Sequence, residues 1–207
     1  MKPLLLETIR FENGKFLNLE RHTVRMNRSR KALFGRNDKI DLEAVLKTAA
    51  STSFQGSAAA GSLFKCRVVY THDVEKIEFV PYQLPNIRSL KIVRDDNIDY
   101  AFKYLDRSSL EQLYDQRGKC DDILIVKNGL ITDTFFANIL FFNGKNWITP
   151  AHPLLKGTQR QYLLETGQVI PADIRISDLK HFRKARLVNA MIQFEDIIDV
   201  KIDAICF

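Results

Sequence analysis

At 207 residues the chain can bury one large core or two small ones, and a composition 45% hydrophobic and 27% charged is that of an ordinary globular protein. No apolar run is long enough to span a bilayer, and the start Met1-Lys2-Pro3-Leu4-Leu5-Leu6-Glu7 meets a charge before a signal-peptide core can form, so a cytoplasmic protein without a membrane partner is expected. The net charge of +6 raises the question of nucleic acid, but much of the excess (Arg21, Arg25, Arg28, Arg30, Lys31 and Arg36) sits in one amphipathic stretch. Such a cluster reads as a solvated helix face with at least one member open to a phosphate on a small molecule; no nucleic-acid partner is expected. Cys66, Cys120 and Cys206 are odd in number and lack C-x-x-C spacing, which argues against a disulfide frame, a zinc knuckle or a thioredoxin-like site, and they read as buried thiols. His22, His72, His152 and His181 are scattered without metal-ligand spacing, so no metal site is expected.

In chain order, residues 4–10 and 15–18 read as two strands joined by the Asn13-Gly14 turn. A helix follows from Leu19 to Phe34, with Val24, Met26, Ala32 and Leu33 among its apolar positions and Gly35 as its stop. A second helix opens on Asp41 as N-cap and runs to about Phe54. Residues 55–62 are small and read as a loop, strands 63–71 and 75–82 form a hairpin through His72-Asp73, and a linker follows at 83–88. A first domain over 1–82 and a larger one over 89–207 are expected. The second half reads as a strand at 89–94, a segment carrying Lys103, a helix near 108–116, and strands at 122–127, 130–132, 137–142 and 146–149 across Asn128-Gly129 and Asn143-Gly144, an antiparallel meander. Thr158 as N-cap with Gln161 three residues on fits a capping box for a helix to Glu165. A strand at 173–176, a helical turn from Ser177 and strands at 185–189 and 198–204 complete two mixed α and β domains, an α+β class.

Several residues have chemical potential that local sequence leaves open. A helix start at Thr158 offers unpaired N–H groups and a positive dipole end to a phosphate, or Thr158 merely caps its helix. Lys103, within Tyr100-Ala101-Phe102-Lys103-Tyr104-Leu105, is either a lysine in an apolar pocket with the free amine needed to attack an aldehyde, or an amphipathic lysine with its ammonium in water. Asp133 follows a strand and reads equally as a turn-forming aspartate.

Taken together these residues fall in the order of one family. Leu6-Glu7-Thr8-Ile9-Arg10, His22-Thr23-Val24-Arg25-Met26, Lys103-Tyr104-Leu105-Asp106-Arg107, Asp121-Asp122-Ile123-Leu124, Gly129, Asp133-Thr134 with Asn138-Ile139, Thr149-Pro150, Leu154-Leu155-Lys156-Gly157-Thr158-Gln159-Arg160 and Val188-Asn189-Ala190-Met191 resemble the class IV aminotransferases, the fold-type IV pyridoxal-phosphate enzymes. The resemblance covers nearly the whole chain. It implies the D-amino-acid aminotransferase-like architecture, here N-terminally shortened, with a barrel-like sheet in the larger, cofactor-binding domain. The arginine four residues after the lysine, and Asn189, are similar to the pattern of aminodeoxychorismate lyases within that family.

The resemblance also implies roles. Lys103 would hold pyridoxal 5'-phosphate as a Schiff base and act on the substrate α-proton; Arg25 and Thr158 would bind the cofactor phosphate, with backbone donors near Asn189 and Ala190; Asp133 would face the pyridine nitrogen; Arg107 would contact substrate. Three departures stand out: glutamate is usual at the position of Asp133, serine or threonine at that of Ala190, and a strand pair usually precedes the Glu-Thr motif. The implied activity is a lyase that converts aminodeoxychorismate to p-aminobenzoate and pyruvate in folate synthesis, acting on a small amino substrate as a homodimer. Alternatives are an aminotransferase for a branched-chain or D-amino acid, and a non-catalytic cofactor-binding or basic interaction protein.

Overall fold

In the computed structural model, which describes residues 2–54 and 62–207, the loop expected at 55–62 falls mostly outside the described residues. The chain divides into two compact units, one made of Met1–Leu84 with Phe102–Asp106, the other of Pro85–Ala101 with Arg107–Phe207. The Lys103 segment, expected with the second domain, therefore packs with the first. The cause is backbone pairing: Lys103 O accepts from Leu6 N–H at 2.9 Å, Leu105 N–H donates to Leu4 O at 2.8 Å, and Leu5 and Tyr104 form an antiparallel bridge.

The first unit is built on β1 (Leu5–Glu12), which turns through Asn13-Gly14 into β2 (Lys15–Phe16). Both turn residues have positive φ, 51° and 74°, the geometry that matches the twist of paired strands and that asparagine and glycine adopt at least cost. Helix α1 (Leu19–Phe34) ends where Gly35 turns left-handed at φ 68° and its N–H closes onto Arg30 and Lys31 carbonyls. Helix α2 (Leu42–Ser53) starts at Asp41, whose carboxylate accepts from Ala44 N–H at 3.1 Å. Strands β3 (Leu63–Tyr70) and β4 (Val74–Pro81) complete a four-stranded sheet in the order β2-β1-β3-β4. Leu5, Ile9, Met26, Leu42, Leu46, Cys66 and Val68 form its core, and the Phe11, Phe16, Phe54 and Phe79 rings pack against one another at its edge.

The face that α1 buries is not apolar. His22, Arg25, Met26, Ser29 and Arg30 point inward, while Val24 and Ala32, expected inside, are exposed. Two of the six basic residues expected on a solvated face are thus buried. Arg30 is fully enclosed and satisfied: Nε donates to His72 O at 2.7 Å, Nη1 to Asn27 Oδ1 and Asp38 O, and Nη2 to Asp38 Oδ2 at 2.8 Å. It ties the helix to the β3–β4 turn and to the chain leading into α2.

The second unit opens with β5 (Leu90–Arg94), helix α3 (Ser108–Tyr114) and a 3-10 turn at Asp115–Arg117. Strands β6 (Asp122–Lys127), β7 (Leu130–Thr134), β8 (Asn138–Phe142) and β9 (Trp147–Pro150) follow, antiparallel in succession. After helix α4 (Thr158–Glu165) comes β10 (Val169–Ala172), parallel to β9. That strand replaces the one expected at 173–176. Then come a 3-10 turn at Ile176–His181, β11 (Lys184–Val188), β12 (Asp199–Lys201) and β13 (Ile205–Cys206), with a further 3-10 turn at Ile202–Ala204 interrupting the expected strand at 198–204. The nine-stranded sheet runs β10-β9-β8-β7-β6-β5-β13, with β11 pairing to β8 and β12. Among the described residues no helix is long and apolar enough to cross a membrane.

Arg30, itself fully buried, donates to the His72 and Asp38 carbonyls and to Asn27 Oδ1, so its removal takes four hydrogen bonds, one of them the ion pair with Asp38, from the first unit. Arg30→Ala should lower unfolding free energy by about 3 kcal/mol, read from urea denaturation, whereas Arg28→Ala on the exposed face should change it by less than about 0.5 kcal/mol.

Candidate functional site

In the first unit, alternation along β1 places Glu7 on the same inward face as Leu5 and Ile9, and its carboxylate is completely buried. A buried carboxylate survives only if it is paired. The partners come from α1, where residues three apart share a face. Arg25 Nε donates to Glu7 Oε1 at 2.8 Å and Nη2 to Oε2 at 2.5 Å, a bidentate fork, and His22 Nδ1 lies 2.6 Å from Oε2.

Burial by itself would raise the Glu7 pKa, but Arg25, assisted by His22, overcomes it and brings the carboxyl down to about 2. Burial pushes His22 the other way from a protonated ring: its pKa is lowered despite Glu7, and the charges of Arg25 and Lys103 act in the same direction as burial. A neutral His22 must therefore carry its proton on Nδ1 to donate to Glu7. Lys103 is half-buried, within electrostatic reach of this group through the same unit. Glu7 and His22 had no role assigned from sequence; the available signal was a carboxylate at a core position of an alternating strand.

In the second unit, Asp133 is buried within β7 rather than exposed in a turn. Its Oδ1 accepts from Asn138 Nδ2 at 2.7 Å, and Oδ2 from Leu155 N–H at 2.9 Å. The same Asn138 amide donates to Leu155 O at 2.9 Å, while its Oδ1 lies so close to Gly157 that a Cβ there would come within 2.1 Å. Gly157, not Thr158, is the N-cap of α4, it offers no side-chain cap, and the expected capping box does not form. The reason is this close approach: only glycine fits against Asn138, which moves the helix start back one residue. Thr158 is the first helical residue and is buried. Asn138 thus fixes Asp133 and the start of α4 relative to each other. Arg160, also buried, anchors the first turn through Nε to Thr149 Oγ1 at 3.1 Å and Nη2 to Pro150 O at 2.7 Å.

The turn between β7 and β8 is gripped from two sides. Arg107 Nη2 donates to Phe135 O at 2.5 Å with its guanidinium 4.2 Å above the Phe135 ring, and Asn189 Nδ2 donates to Phe136 O at 3.1 Å. Asn189 also spends its Oδ1 on Met191 and Ile192 N–H groups and its own N–H on Ile192 O. The backbone donor expected at Asn189 is therefore occupied, and that of Ala190, half-buried beside it, is not taken up among the described residues. Asp122 is buried on β6, with Oδ1 accepting from Ile123 and Phe135 N–H groups; its Oδ2 and Arg107 Nε are buried with no hydrogen-bond partner among the described residues.

Burial raises both acids of this unit to about 6, in Asp133 against Leu155 N–H, the Asn138 amide and Arg160, and in Asp122 against the Ile123 N–H, the Thr134 side chain, the Phe135 N–H and Arg107. The two units thus place the candidate residues in two groups: Arg25 and Lys103 with Glu7 and His22, and Asp133, Thr158, Asn189, Ala190 and Arg107 around the β7–β8 turn and the start of α4.

These acids give opposite pH responses. Glu7, depressed on folding, contributes stability above its ordinary pKa of 4.5 that is lost as pH falls towards about 2. Glu7→Gln should remove that acid-side loss and, by stranding the Arg25 charge, cost about 3 kcal/mol at neutral pH in denaturant titrations. Asp133, raised on folding, favours the fold below its ordinary pKa of 3.8 and loses that contribution as pH rises through about 6. In Asp133→Asn the stability change between those pH values should shrink; an unchanged profile would contradict the burial effect.

The comparisons with known proteins agree on one family. Residues 97–197 match the model of amino-transferase class IV. An uncharacterized protein of Haemophilus influenzae is 37% identical over 187 residues, covering 90% of this chain and 97% of that protein. A crystal structure of a provisionally named 4-amino-4-deoxychorismate lyase from Haemophilus somnus superposes with a TM-score of 0.86 at 34% identity, covering 94% of this chain and 99% of that one. An aminotransferase from Brucella abortus bound to the cofactor PLP shares the fold at 17% identity and a TM-score of 0.72, covering 96% of this chain and 79% of that one. With a relative more than a third identical along almost its full length and the fold shared throughout, the chain belongs to the class IV aminotransferase family.

Proposed function

We propose that this chain is a pyridoxal-phosphate-dependent lyase acting on aminodeoxychorismate, with Lys103 as the cofactor-anchoring residue. The observation that carries the cofactor is the Asn138 clamp: a buried carboxylate and the N-terminal turn of a helix are held at fixed separation by one amide. A pyridine ring bearing a phosphate needs an anionic partner for its nitrogen and a donor-rich seat for its phosphate, and these residues fit both needs. Membership of the class IV aminotransferases makes the chain a pyridoxal-phosphate enzyme, and the name of the Haemophilus somnus relative favours the lyase reaction.

When bound, pyridoxal phosphate supplies a carbonyl that condenses with amines and a ring that takes up an electron pair from the adjacent carbon. Asp133, buried and fixed through both oxygens, would face the ring nitrogen and hold a proton there. Thr158 and the first turn of α4, with the Ala190 N–H, would bind the phosphate, and Arg25, oriented by Glu7, would add the cationic partner. Lys103 Nζ would supply the anchoring amine and then take the proton from the amine-bearing ring carbon of the substrate. Loss of that proton and of the enolpyruvyl group makes the carbocycle aromatic, giving p-aminobenzoate and, after protonation, pyruvate. Arg107, held at the β7–β8 turn through Phe135 O, would orient a substrate carboxylate.

Purified protein supplied with pyridoxal phosphate should show a long-wavelength visible band that borohydride fixes, and peptide mapping should place the phosphopyridoxyl group on Lys103. In Lys103→Ala the band and adduct should be absent; an unchanged adduct elsewhere rejects the assignment. Release of pyruvate from aminodeoxychorismate supports the lyase, whereas amine transfer from an amino acid to 2-oxoglutarate without pyruvate release identifies an aminotransferase instead.

A further inference from the structure

Four planar side chains of the second unit form one stack. Arg107, the N-cap residue of α3, and Tyr114, its last residue, are two helical turns apart, so both start from one side of the helix with an axial separation of about 10 Å. The Phe135 ring of the β7–β8 turn lies between them. The Arg107 guanidinium is 4.2 Å from its centre, and the Tyr114 ring stacks on it at 4.3 Å with an interplanar angle of 24°. Groups that near one ring occupy opposite faces, so Phe135 is enclosed on both. Tyr114 is covered in turn by the Arg117 guanidinium, 4.1 Å from its ring centre, and Arg117 Nη1 donates to Tyr114 O at 3.1 Å. We propose that Phe135 and Tyr114, braced by Arg117, are positioning residues that fix the plane of the Arg107 guanidinium for the ring carboxylate of the substrate.

The proposal rests on the reading of Arg107 as a substrate contact, and its surroundings suit an anion. Among the described residues no carboxylate forms an ion pair with it. Nη2 donates to Phe135 O at 2.5 Å, whereas Nε is buried with no hydrogen-bond partner among the described residues. Within the second unit the cation is thus held by a ring face and one carbonyl rather than by a carboxylate. A guanidinium lying flat on an aromatic ring keeps its N–H groups in a plane parallel to that ring, the plane in which a carboxylate forms a two-point fork. Phe135 O fixes the rotation within that plane, and Tyr114 keeps the Phe135 ring from turning away.

Aminodeoxychorismate carries two carboxylates. The one on the carbocycle is conjugated with it and has a fixed plane, whereas the enolpyruvyl one turns about its ether linkage. A guanidinium whose plane is set in advance matches the fixed group at the least entropic cost. That carboxylate also remains in p-aminobenzoate, and aniline is the same molecule without it.

Binding of p-aminobenzoate and of aniline to the pyridoxal-phosphate-loaded protein, measured by titration calorimetry, therefore isolates the carboxylate contact. Arg107→Met should weaken p-aminobenzoate about tenfold and leave aniline unchanged; if p-aminobenzoate is unaffected, the reading of Arg107 fails and the proposal with it. Where that contact holds, Tyr114→Leu should weaken p-aminobenzoate about fivefold, again without effect on aniline, because the guanidinium remains but its plane is released. Tyr114→Phe keeps the ring and loses the hydroxyl's bond to Asp121 O, and should bind both ligands as the unaltered chain does. In turnover of aminodeoxychorismate the Tyr114→Leu loss should appear in KM and not in kcat. An Arg107-dependent preference for p-aminobenzoate that survives Tyr114→Leu overturns the proposal, and so does an equal loss of both ligands, which marks the stack as support for the fold alone. Should Tyr114→Leu not fold, Arg117→Met removes the outer layer of the same stack and is judged by the same pair of ligands.

Discussion

A carboxylate on the core side of a strand loses its hydration on folding, at a cost of several kcal/mol, and the surrounding chain must replace what water supplied. Each unit contains such groups, and much of the local architecture answers that requirement. Glu7 faces inward on β1, and so α1 presents His22 and Arg25 rather than an apolar stripe. Asp133 faces inward on β7, and so Asn138, Leu155 and the start of α4 converge on it. In both places a polar group at an apolar position dictates which residues stand opposite.

The two solutions differ in chemistry. Glu7 is met by a guanidinium in a bidentate fork, so its charge is fixed and its proton affinity falls. Asp133 is met by an amide and a backbone N–H, with Arg160 acting only at longer range, so burial dominates and its proton affinity rises. The first arrangement is electrically closed and suits a residue that orients another. The second still attracts a cation.

This contrast explains what could be read in the sequence. Turns and helix ends were legible because they depend on the conformational limits of single residues: Asn13-Gly14 and Gly35 adopt positive φ, and Asp41 caps α2. The inward face of α1 was not legible from periodicity, since all its buried residues but Met26 are polar and His22 and Arg25 pair with a strand before the helix, while Val24 lies in solvent. Strand β10 was missed because Pro171 and an exposed Ile170 make it look unlike a strand; it is an edge strand, where proline is tolerated. Thr158 was placed correctly in α4 but one position out in its cap, because the deciding contact is the approach of Asn138 to Gly157, nineteen residues apart in the chain and adjacent in space. The order of family motifs carried the site residues further than any local pattern, since it encodes such distant pairings together.

Substituting aspartate where the family usually has glutamate shortens a side chain that must reach a ring nitrogen. The second unit holds that shorter carboxylate through both oxygens, Oδ1 by the Asn138 amide and Oδ2 by Leu155 N–H, and the same amide also packs against the helix turn proposed to bind phosphate. Moving Asp133 towards a ring would therefore require moving the phosphate seat with it. The shorter reach is consequently a property of the whole clamp rather than of one residue, and a glutamate introduced alone at 133 would have to displace Asn138 or Leu155 before it could extend. The proposed cofactor geometry thus depends on Asn138 as much as on Asp133, although only the aspartate would touch the ring.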